Sequence, residues 1–263
     1  MMRLIKIFKI QCKLSIMSSV IFRVNFFLML FQSVVNSIMG VLSVSFIYGS
    51  VETIAGWNRS EMLILFGTAL FINQLYRGFF NQNHMRFIAR IADGSFDKML
   101  LKPINIMFQA HTGTIDMASL ISASAPLVVV INQLYKIKDK ITVTQLILYF
   151  VLVITGLVIL ASFMLLVYTL AFKFIYIEGV GNIYFSMMTM SEKPREMIQN
   201  KYLLFAFMFF LPVIPIANGP TTILLGKSAN WESVFLIGVG VFYTLLSNYA
   251  MKRGLKIYSS ASN

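Results

Sequence analysis

The sequence has few charged residues for its length, and this scarcity decides the class of protein. Charged side chains make up 12% of the 263 residues, whereas apolar side chains make up 58%, and the mean hydropathy is +0.77. A soluble domain carries about 25% charged residues, so this composition excludes a water-soluble globular chain. A bilayer is the solvent expected for it, and little of the chain remains for a soluble domain.

Cysteine and the common catalytic patterns are also scarce or missing. Cys12 is the single cysteine, which excludes an internal disulfide and a cysteine-rich metal site. The sequence contains no His-Glu-x-x-His pair, no closely spaced pair of carboxylates and no nucleophile elbow. The two histidines, His84 and His111, stand at opposite ends of one polar segment, and we interpret them as solvated loop residues. We therefore expect no catalytic site and no metal site, which counts against a membrane-embedded enzyme.

The sequence also contains part of a nucleotide-binding P-loop, but the pattern is incomplete. Gly226, Lys227 and Ser228 repeat the end of a P-loop, but Thr221 stands where that pattern needs a glycine. A proline-rich apolar run precedes it, in place of the strand that the pattern requires. We therefore expect no cofactor in this chain, ATP included.

Acidic residues are outnumbered by basic ones. The chain has 10 Asp and Glu against 22 Lys and Arg, which gives a formal net charge of +12. In a soluble protein this excess would suggest nucleic acid. Here the cations gather in the short segments that flank the apolar runs, where membrane topology and anionic lipid account for them. We predict no nucleic-acid partner and place both basic termini on the cytoplasmic side.

The apolar runs are long enough for several membrane-spanning helices, each of which needs about 20 mostly apolar residues. Residues 1–20 precede the first run. Lys6, Lys9 and Lys13 fall on one side of a helix there, and on the other side fall Leu4, Ile7, Phe8 and Leu14. This pattern predicts an amphipathic helix in the membrane interface. Five spans are then predicted from hydropathy, at residues 21–48, 62–80, 115–134, 142–170 and 234–251.

Two further apolar runs compete for one more span, at residues 171–190 and 202–217. The bias of cations towards the cytoplasm favours 202–217, because three more cations then fall on that side. Pro212, Pro215 and Pro220 favour a segment that folds back instead, because prolines remove backbone donors that lipid cannot replace. The residues alone leave this choice open.

Polar and small residues form a stripe on each of the first two spans. Such stripes either hold helices together or line a wet pathway, and helix contact is the commoner reason. The stripes consist of Gln32, Asn36, Gly40 and Ser43 on the first span and Gly67, Phe71, Gln74 and Gly78 on the second. Arg77, Asp116 and Glu178 are the candidates for functional charges at depth, although each also fits the end of a span, where Arg can reach the interface.

The segment 86–103 after the second span is too charged to lie in lipid. Its second half predicts a short helix that begins near Gly94 and Ser95 and stops before Pro103. We expect this helix to bury Phe96, Leu100 and Leu101. An exposed amphipathic helix on the basic side suits a docking element for a cytosolic partner, and it also suits an ordinary surface helix.

These residues carry a family resemblance. The run Gly94-x-x-Asp97-x-x-Leu100-Leu101-Lys102-Pro103 resembles the signature G-x-x-D-x-x-L-L-R-P that follows the second span in bacterial ABC-2-type permeases, with Lys in place of the usual Arg. The likeness continues over nearly the whole chain in shorter motifs. These are Pro194, the run Leu211-Pro212-Val213-Ile214-Pro215, Pro220, Leu225-Gly226 and the C-terminal Arg253-x-x-Lys256-x-Tyr258.

The resemblance implies a fold. Residues 1–263 would form a single all-α integral membrane domain with six transmembrane helices of the ABC-2 (type V exporter) type. It would have an N-terminal interfacial helix, a cytoplasmic coupling helix in the loop 86–103 and a re-entrant segment at 200–225 before the last span. This architecture favours 171–190 as the fifth span. The residues implied in coupling to the ATPase are Gly94, Phe96, Asp97, Leu100, Leu101, Lys102 and Pro103.

The resemblance also implies a function, which is ATP-driven export across the bacterial cell membrane. A second ABC-2 permease would pair with this one as a homodimer or, the favoured case, a heterodimer. Two copies of a separate ATP-binding cassette subunit would bind ATP and Mg. Substrate would pass between the permeases along the polar stripes and Glu178. The alternative is a secondary transporter or channel without an ATPase, which would require a charge at mid-membrane, and only Glu178 suits that role.

Overall fold

The computed structural model describes residues 2–21, 23–174 and 179–258, and within these ranges the secondary structure is helical, with no strand. The helices are α1 (Met2–Ile21), α2 (Arg23–Ile47), α3 (Arg59–Tyr76), α4 (Gln82–Ala92), α5 (Asp97–Leu100), α6 (Ile106–His111), α7 (Met117–Ser122), α8 (Ser124–Lys136), α9 (Val143–Tyr168), α10 (Val180–Ser191), α11 (Lys201–Phe209), α12 (Ile214–Leu224) and α13 (Asn230–Ile257). A π-helical turn, Arg77–Asn81, joins α3 to α4, and a 3-10 turn, Thr169–Phe172, extends α9.

Five helical stretches are long and apolar enough to cross a membrane, and a sixth is possible if one bent pair forms a single span. Each of the five overlaps a span predicted from hydropathy. The most apolar, α9, contacts α3, α12 and α13 and lies at the centre of the bundle. The five stretches are Arg23–Ile47, Arg59–Ala92, Met117–Lys136, Val143–Phe172 and Trp231–Ile257.

The second stretch is longer than predicted. The predicted span ended at residue 80 and left 86–103 to a loop, but the helix runs from Arg59 to Ala92. Its 34 residues extend about 51 Å, against a hydrocarbon core of about 30 Å. The extension stays helical because α4 is amphipathic and buries Phe87 and Ile91 on one face. The loop therefore begins at Asp93.

One end of the bundle is closed by a polar network around Trp57, and we call it the Trp57 end. The Trp57 side chain is fully buried, and its Nε1 donates to the Glu196 carboxylate at 2.8 Å. Arg195 forms an ion pair with Glu232 at 2.9 Å. Lys227 pairs with Glu61, also at 2.9 Å. The network therefore joins the α2–α3 turn, the segment after α10 and the turn before α13.

The bent pair α11 and α12 turns through 102°. Before α11, the Arg195 backbone N–H donates to the Asn218 side chain, and after α12, Lys227 donates to the carbonyl of Gly56. Both ends of the pair thus lie at the Trp57 end. The turn between the two helices lies about halfway along α13, where the Tyr243 hydroxyl donates to the carbonyl of Phe209. Residues 201–224 therefore enter and leave the bundle at the same end.

The predicted span 171–190 corresponds to α10 and the residues before it. The helix has only 12 residues, or about 18 Å, and Glu178 lies outside the described residues. Phe172 packs on Phe96 at the opposite end of the bundle, whereas the carbonyl of Ser191 accepts from Asn218 near the Trp57 end. Phe172 and Ser191 therefore lie at opposite ends of the bundle.

The N-terminal helix α1 lies where the amphipathic pattern predicted a helix. Phe8 and Leu14 are 36% and 59% exposed, which leaves these apolar side chains on the outer surface of the chain. Ser15 is buried, and its Oγ accepts a hydrogen bond from the backbone N–H of Ile115. A hydroxyl turns inwards here because it satisfies a donor of the loop before α7, which no apolar side chain could do.

Candidate coupling site

Residues 93–105 follow α4 and contain the candidate coupling residues of the predicted loop 86–103, and we call them the coupling segment. The segment begins with a sharp turn directly after α4. Gly94 has a φ of +73°, a conformation that costs a glycine little and other residues more. The Asp93 carboxylate accepts from the backbone N–H of Ser95 at 2.8 Å, and the N–H of Phe96 donates to the carbonyl of Arg90 at 2.9 Å. Hydrogen bonds from the Ser95 side chain and backbone lower the pKa of Asp93. The turn reverses the chain and directs Phe96 back into the protein.

Phe96 is the anchor of the segment, as predicted, and is fully buried. Its ring lies 5.6 Å from Phe87 of α4, 5.4 Å from Phe172 after α9 and 4.9 Å from Tyr258 after α13, measured between ring centroids. Phe172 also packs so tightly on Gly254 of α13 that a Cβ there would collide with the ring. We call the end of the bundle that contains these aromatic side chains the Phe96 end. One side chain thus joins the coupling segment to three long helices.

The predicted burial of Leu100 and Leu101 is wrong. Leu100 is 46% exposed and Leu101 84% exposed, while Met99 is buried in their place. In a helix of one turn, Phe96 and Met99 share the inner face at a spacing of three residues, so the two leucines turn outwards. The Gln109 side chain of α6 donates to the carbonyl of Met99 at 3.1 Å and holds the end of α5.

The remaining motif residues surround this exposed pair. Lys102 and Pro103 are exposed, and Asp97 opens α5. The surface that the segment presents to solvent therefore combines two leucines with a cation and a proline. It carries no group positioned for bond-breaking chemistry, and its form suits a contact with another protein.

The interpretation of His84 and His111 as separate solvated residues is wrong. His84 is buried in α4, and its Nε2 lies 3.1 Å from Nδ1 of His111 at the end of α6. The Nδ1 of His84 lies 3.1 Å from the Tyr76 hydroxyl. Burial lowers the pKa of His111 to about 4. The sequence gives no signal for this pair, because only the packing of α4 on α6 brings positions 27 residues apart together.

Within the described ranges no three metal-binding side chains come together. The P-loop-like lysine also has a structural partner, since Lys227 pairs with Glu61 and lies over the Trp57 ring at 4.7 Å. Thr221 is fully buried in α12. These side chains close the Trp57 end of the bundle.

The polar stripes divide between the two roles that the sequence allowed. A Cβ at Gly40 would strike the ring of Phe66, and one at Gly67 would lie 2.7 Å from Val130 of α8, so these glycines allow close helix contact. Phe71 is partly buried against the core, and Gly78 packs on Leu120. Ser43 donates to the carbonyl of Met39 in its own helix.

The other stripe residues line a crevice. Gln32 and Asn36 of α2 face Gln74 of α3 across it, and Arg77 lies at its edge. The Gln74 side chain donates to Ser33 Oγ at 3.0 Å, which ties α3 to α2. Asp116 is a helix cap, because its carboxylate accepts from the N–H groups of Ala118 and Ser119 at the start of α7. Glu178, the other candidate, lies outside the described residues.

A comparison with protein families matches residues 34–262 to the family described as ABC-2 family transporter protein. The chain belongs to this ABC-2 family. The comparison with curated proteins and the comparison with solved structures gave no match. The matched range includes the coupling segment, the bent pair and α13, so the resemblance that begins at Gly94 is confirmed.

Membership of the ABC-2 family gives the general role of this permease. It is the transport component of an ABC transporter, embedded in the membrane by several helices, and the family is not itself catalytic. Permeases of this family typically work with an ATPase subunit.

Proposed function

We propose that this ABC-2 permease forms half of the pathway of an ATP-driven exporter in the bacterial cell membrane. Two copies of a separate ATP-binding cassette subunit bind ATP and Mg and dock on the coupling segment. A second ABC-2 permease completes the pathway, and the family resemblance favours a sister chain over a second copy. The observation that carries the proposal is the pair Leu100 and Leu101, exposed on a segment whose Phe96 is buried among three helices.

In this arrangement the permease is coupled to the ATPase subunits by physical contact and needs no chemistry of its own. Two exposed leucines on a short, well-anchored helix fit a hydrophobic pocket on a partner. When the ATPase subunits close around ATP, they push on this helix. Phe96 passes the displacement to α4, to the end of α9 and to the end of α13 through ring contacts of 4.9 to 5.6 Å. Packed aromatic rings suit this role, because a close-packed core transmits strain instead of absorbing it.

The distribution of charge supports a cytoplasmic Phe96 end. By position in the sequence, 14 of the 22 Lys and Arg lie in the segments at that end, which are residues 1–23, 77–102, 173 and 252–256. Short cytoplasmic segments of membrane proteins carry this excess. Both termini are then cytoplasmic, residues 171–190 make the fifth crossing, and the segment 200–225, which contains the bent pair, is a re-entrant element that opens outwards.

The exposed face of α2 supports a second permease. Only 17% of its apolar window is buried within this chain, yet Gln32 and Asn36 are exposed on it. Amide side chains in hydrocarbon are costly unless another helix pairs with them. A second permease along α2 supplies that helix and encloses the crevice of Gln32, Asn36 and Gln74 as part of the pathway.

The test is Leu101→Asp in the complex purified with its ATPase and reconstituted in vesicles. We expect transport-coupled ATP turnover to be lost, because a carboxylate at an 84% exposed site blocks a hydrophobic contact without disturbing the fold. Membrane insertion and the thermal midpoint of the permease should be unchanged. ATP turnover is measured with and without the permease, and equal coupling in variant and wild type would overturn the proposal.

A matched control is Val51→Asp. Val51 is 43% exposed in the turn after α2, at the opposite end of the bundle. This change also adds one carboxylate to an exposed apolar position, and we expect it to leave coupling unchanged. Loss of coupling in both variants would point to a general effect of charge and would remove the support for a specific contact.

A further inference from the structure

Two cavities follow one another along a groove between α2 and the long helix formed by α3 and α4. The larger has a volume of about 400 Å³ and is lined by Asn25, Gln82, Arg86 and Asp116. The smaller is a narrow cleft of about 10 Å³ lined by Gln32, Gln74, Arg77 and Ser122. Both cavities are lined by α2, by the long helix and by α7, at positions a few turns apart, and α1 adds Leu14, Ser15 and Ser18 to the wall of the larger one. We treat the two cavities as parts of one groove with α7 as its floor.

The groove runs from the membrane surface into the hydrocarbon. Arg77 lies 18 residues after Arg59, the first residue of α3, or about 27 Å along the helix axis. Arg86 lies about 40 Å along it. With the core of about 30 Å beginning near Arg59, Arg77 falls just inside the far boundary of the hydrocarbon and Arg86 falls at the level of the headgroups.

The cations of the groove lack an internal counter-charge. Neither Arg77 nor Arg86 forms an ion pair with a carboxylate of the described residues. The one carboxylate in the wall, Asp116, accepts hydrogen bonds from Ser119 Oγ at 2.8 Å and from two backbone N–H groups of α7. The groove therefore has two guanidinium groups available for a ligand and one carboxylate that is already hydrogen-bonded.

A polar group on the floor of the groove also lacks a partner. Ser122 Oγ is buried and has no hydrogen bond within the described part of the chain. Buried hydroxyls in proteins normally find one. Unpaired guanidinium groups with a nearby hydroxyl and amides are the recognition set for a phosphate or carboxylate.

We propose that this groove binds the anionic headgroup of an amphiphile, with phosphate as the preferred chemistry, and admits it sideways from the leaflet at the Phe96 end. The acyl chains remain in the bilayer along the side of α2 that bears the exposed residues Phe27, Phe31 and Val35, whereas the second permease pairs with the side that bears Gln32 and Asn36. The amphiphile is either a resident lipid of the bilayer or the cargo of the exporter. The assignment of the amphiphile as cargo rests on the proposed function, and it makes an anionic amphiphile the substrate class of the exporter.

The first experiment measures binding to the full-length chain in mild detergent. Phosphatidylglycerol and diacylglycerol with the same acyl chains are added in equal amounts, and retained lipid is counted by native mass spectrometry. We expect wild type to retain the phosphatidylglycerol preferentially. Replacement of both groove cations, Arg77→Gln with Arg86→Gln, should lower this retention about tenfold, because it removes charged hydrogen bonds. Equal retention of the two lipids by wild type would overturn the proposal.

Two further variants separate binding from folding. The charge-conserving pair Arg77→Lys with Arg86→Lys should restore most of the retention, since Lys also binds phosphate as a point charge. Arg253→Gln removes an exposed cation that stacks on Tyr249 outside the groove and should leave retention unchanged. If Arg253→Gln lowered retention as much as the groove variant, the effect would be one of net charge and the groove would not be the site.

The second experiment separates the two sources of the headgroup. The complex with its ATPase is reconstituted in vesicles with fluorescent phosphatidylglycerol, and movement between leaflets is followed. ATP-dependent movement that the Gln pair abolishes assigns the amphiphile as cargo, whereas retention without movement assigns a resident lipid. Failure of the chain to assemble with an ATPase would overturn the proposed function alone, because retention by the purified chain tests the groove independently.

Discussion

In the coupling segment of this permease, the type of a residue does not predict whether its side chain is buried or exposed. Phe96 and Leu101 both read as hydrophobic members of one motif, yet Phe96 is fully buried and Leu101 is 84% exposed. The difference comes from the turn at Gly94, which directs one face of a single helical turn inwards. Within such a short helix, two residues of similar hydrophobicity take an anchoring position and a contact position.

The carboxyl group of Glu192 at the Trp57 end is expected to make the stability of the permease depend on pH. Glu192, directly after α10, is half-buried, and burial raises its pKa to about 7 from an ordinary value of 4.5. The folded state therefore holds this proton more tightly than the unfolded state does. The free energy of unfolding should fall as the pH rises through the window from 4.5 to 7.

The substitution Glu192→Gln should remove this loss of unfolding free energy at high pH. We expect the thermal midpoint of the variant in detergent to exceed that of wild type at pH 8 and the difference to vanish near pH 4. Glu52→Gln removes an exposed carboxylate at the same end and controls for the change in net charge. A difference between Glu192→Gln and wild type that did not grow with pH would contradict the expectation.

Helices in this bundle approach closely where glycine permits it. Gly156 of α9 faces the backbone of Ile216 in α12, and a Cβ there would collide with the Ile216 carbonyl oxygen. Every residue of α12 is buried, so the helix has little room to move aside. This contact allows a helix interrupted by Pro220 to pack within the bundle, where its free carbonyls are shielded from lipid.

Gly156→Ala should therefore destabilise the permease by about 1–3 kcal/mol, the usual cost of overpacking. The expected observation is a lower thermal midpoint in detergent. Gly238→Ala is the matched control, because a Cβ at Gly238 in α13 would meet no atom within 4 Å. If both variants had the same midpoint, α9 and α12 would not be held as closely as the structure has them.

At the scale of the whole molecule, polar contacts close one end of the bundle and aromatic contacts close the other. At the Trp57 end, Lys227 joins the turn after α12 to Glu61 of α3 and to the carbonyl of Gly56. Both side chains are largely buried, with 23% and 17% exposed. The network therefore holds the outer end of the bent pair against the first two long helices.

Lys227→Gln should lower the free energy of unfolding by about 1–2 kcal/mol, because it removes charged hydrogen bonds and leaves Glu61 without its cation. Lys138→Gln is the control at the same end, where Lys138 lies over the ring of Tyr135 and makes no ion pair with a described residue. Thermal midpoints in detergent compare the two. Equal effects would indicate that the network does not contribute to stability.

The solvent of this protein, its five long apolar helices and its family can be predicted from the amino-acid sequence alone. These features depend on local composition and on a contiguous motif, since a helix in hydrocarbon satisfies its own backbone and needs no partner to form. The buried position of Phe96 could also be predicted, because it follows from spacing within a single turn.

The faces at which the helices meet are known only from the folded chain. It placed His84 beside His111, turned Leu100 and Leu101 outwards, and divided the polar stripe of Gln32 to Ser43 between helix contact and a crevice. It also brought both ends of the bent pair to the Trp57 end through contacts of Arg195 and Lys227. Hydrophobicity cannot encode these outcomes, because in an apolar solvent both faces of a helix are apolar and the packing partners are set by shape and hydrogen bonding.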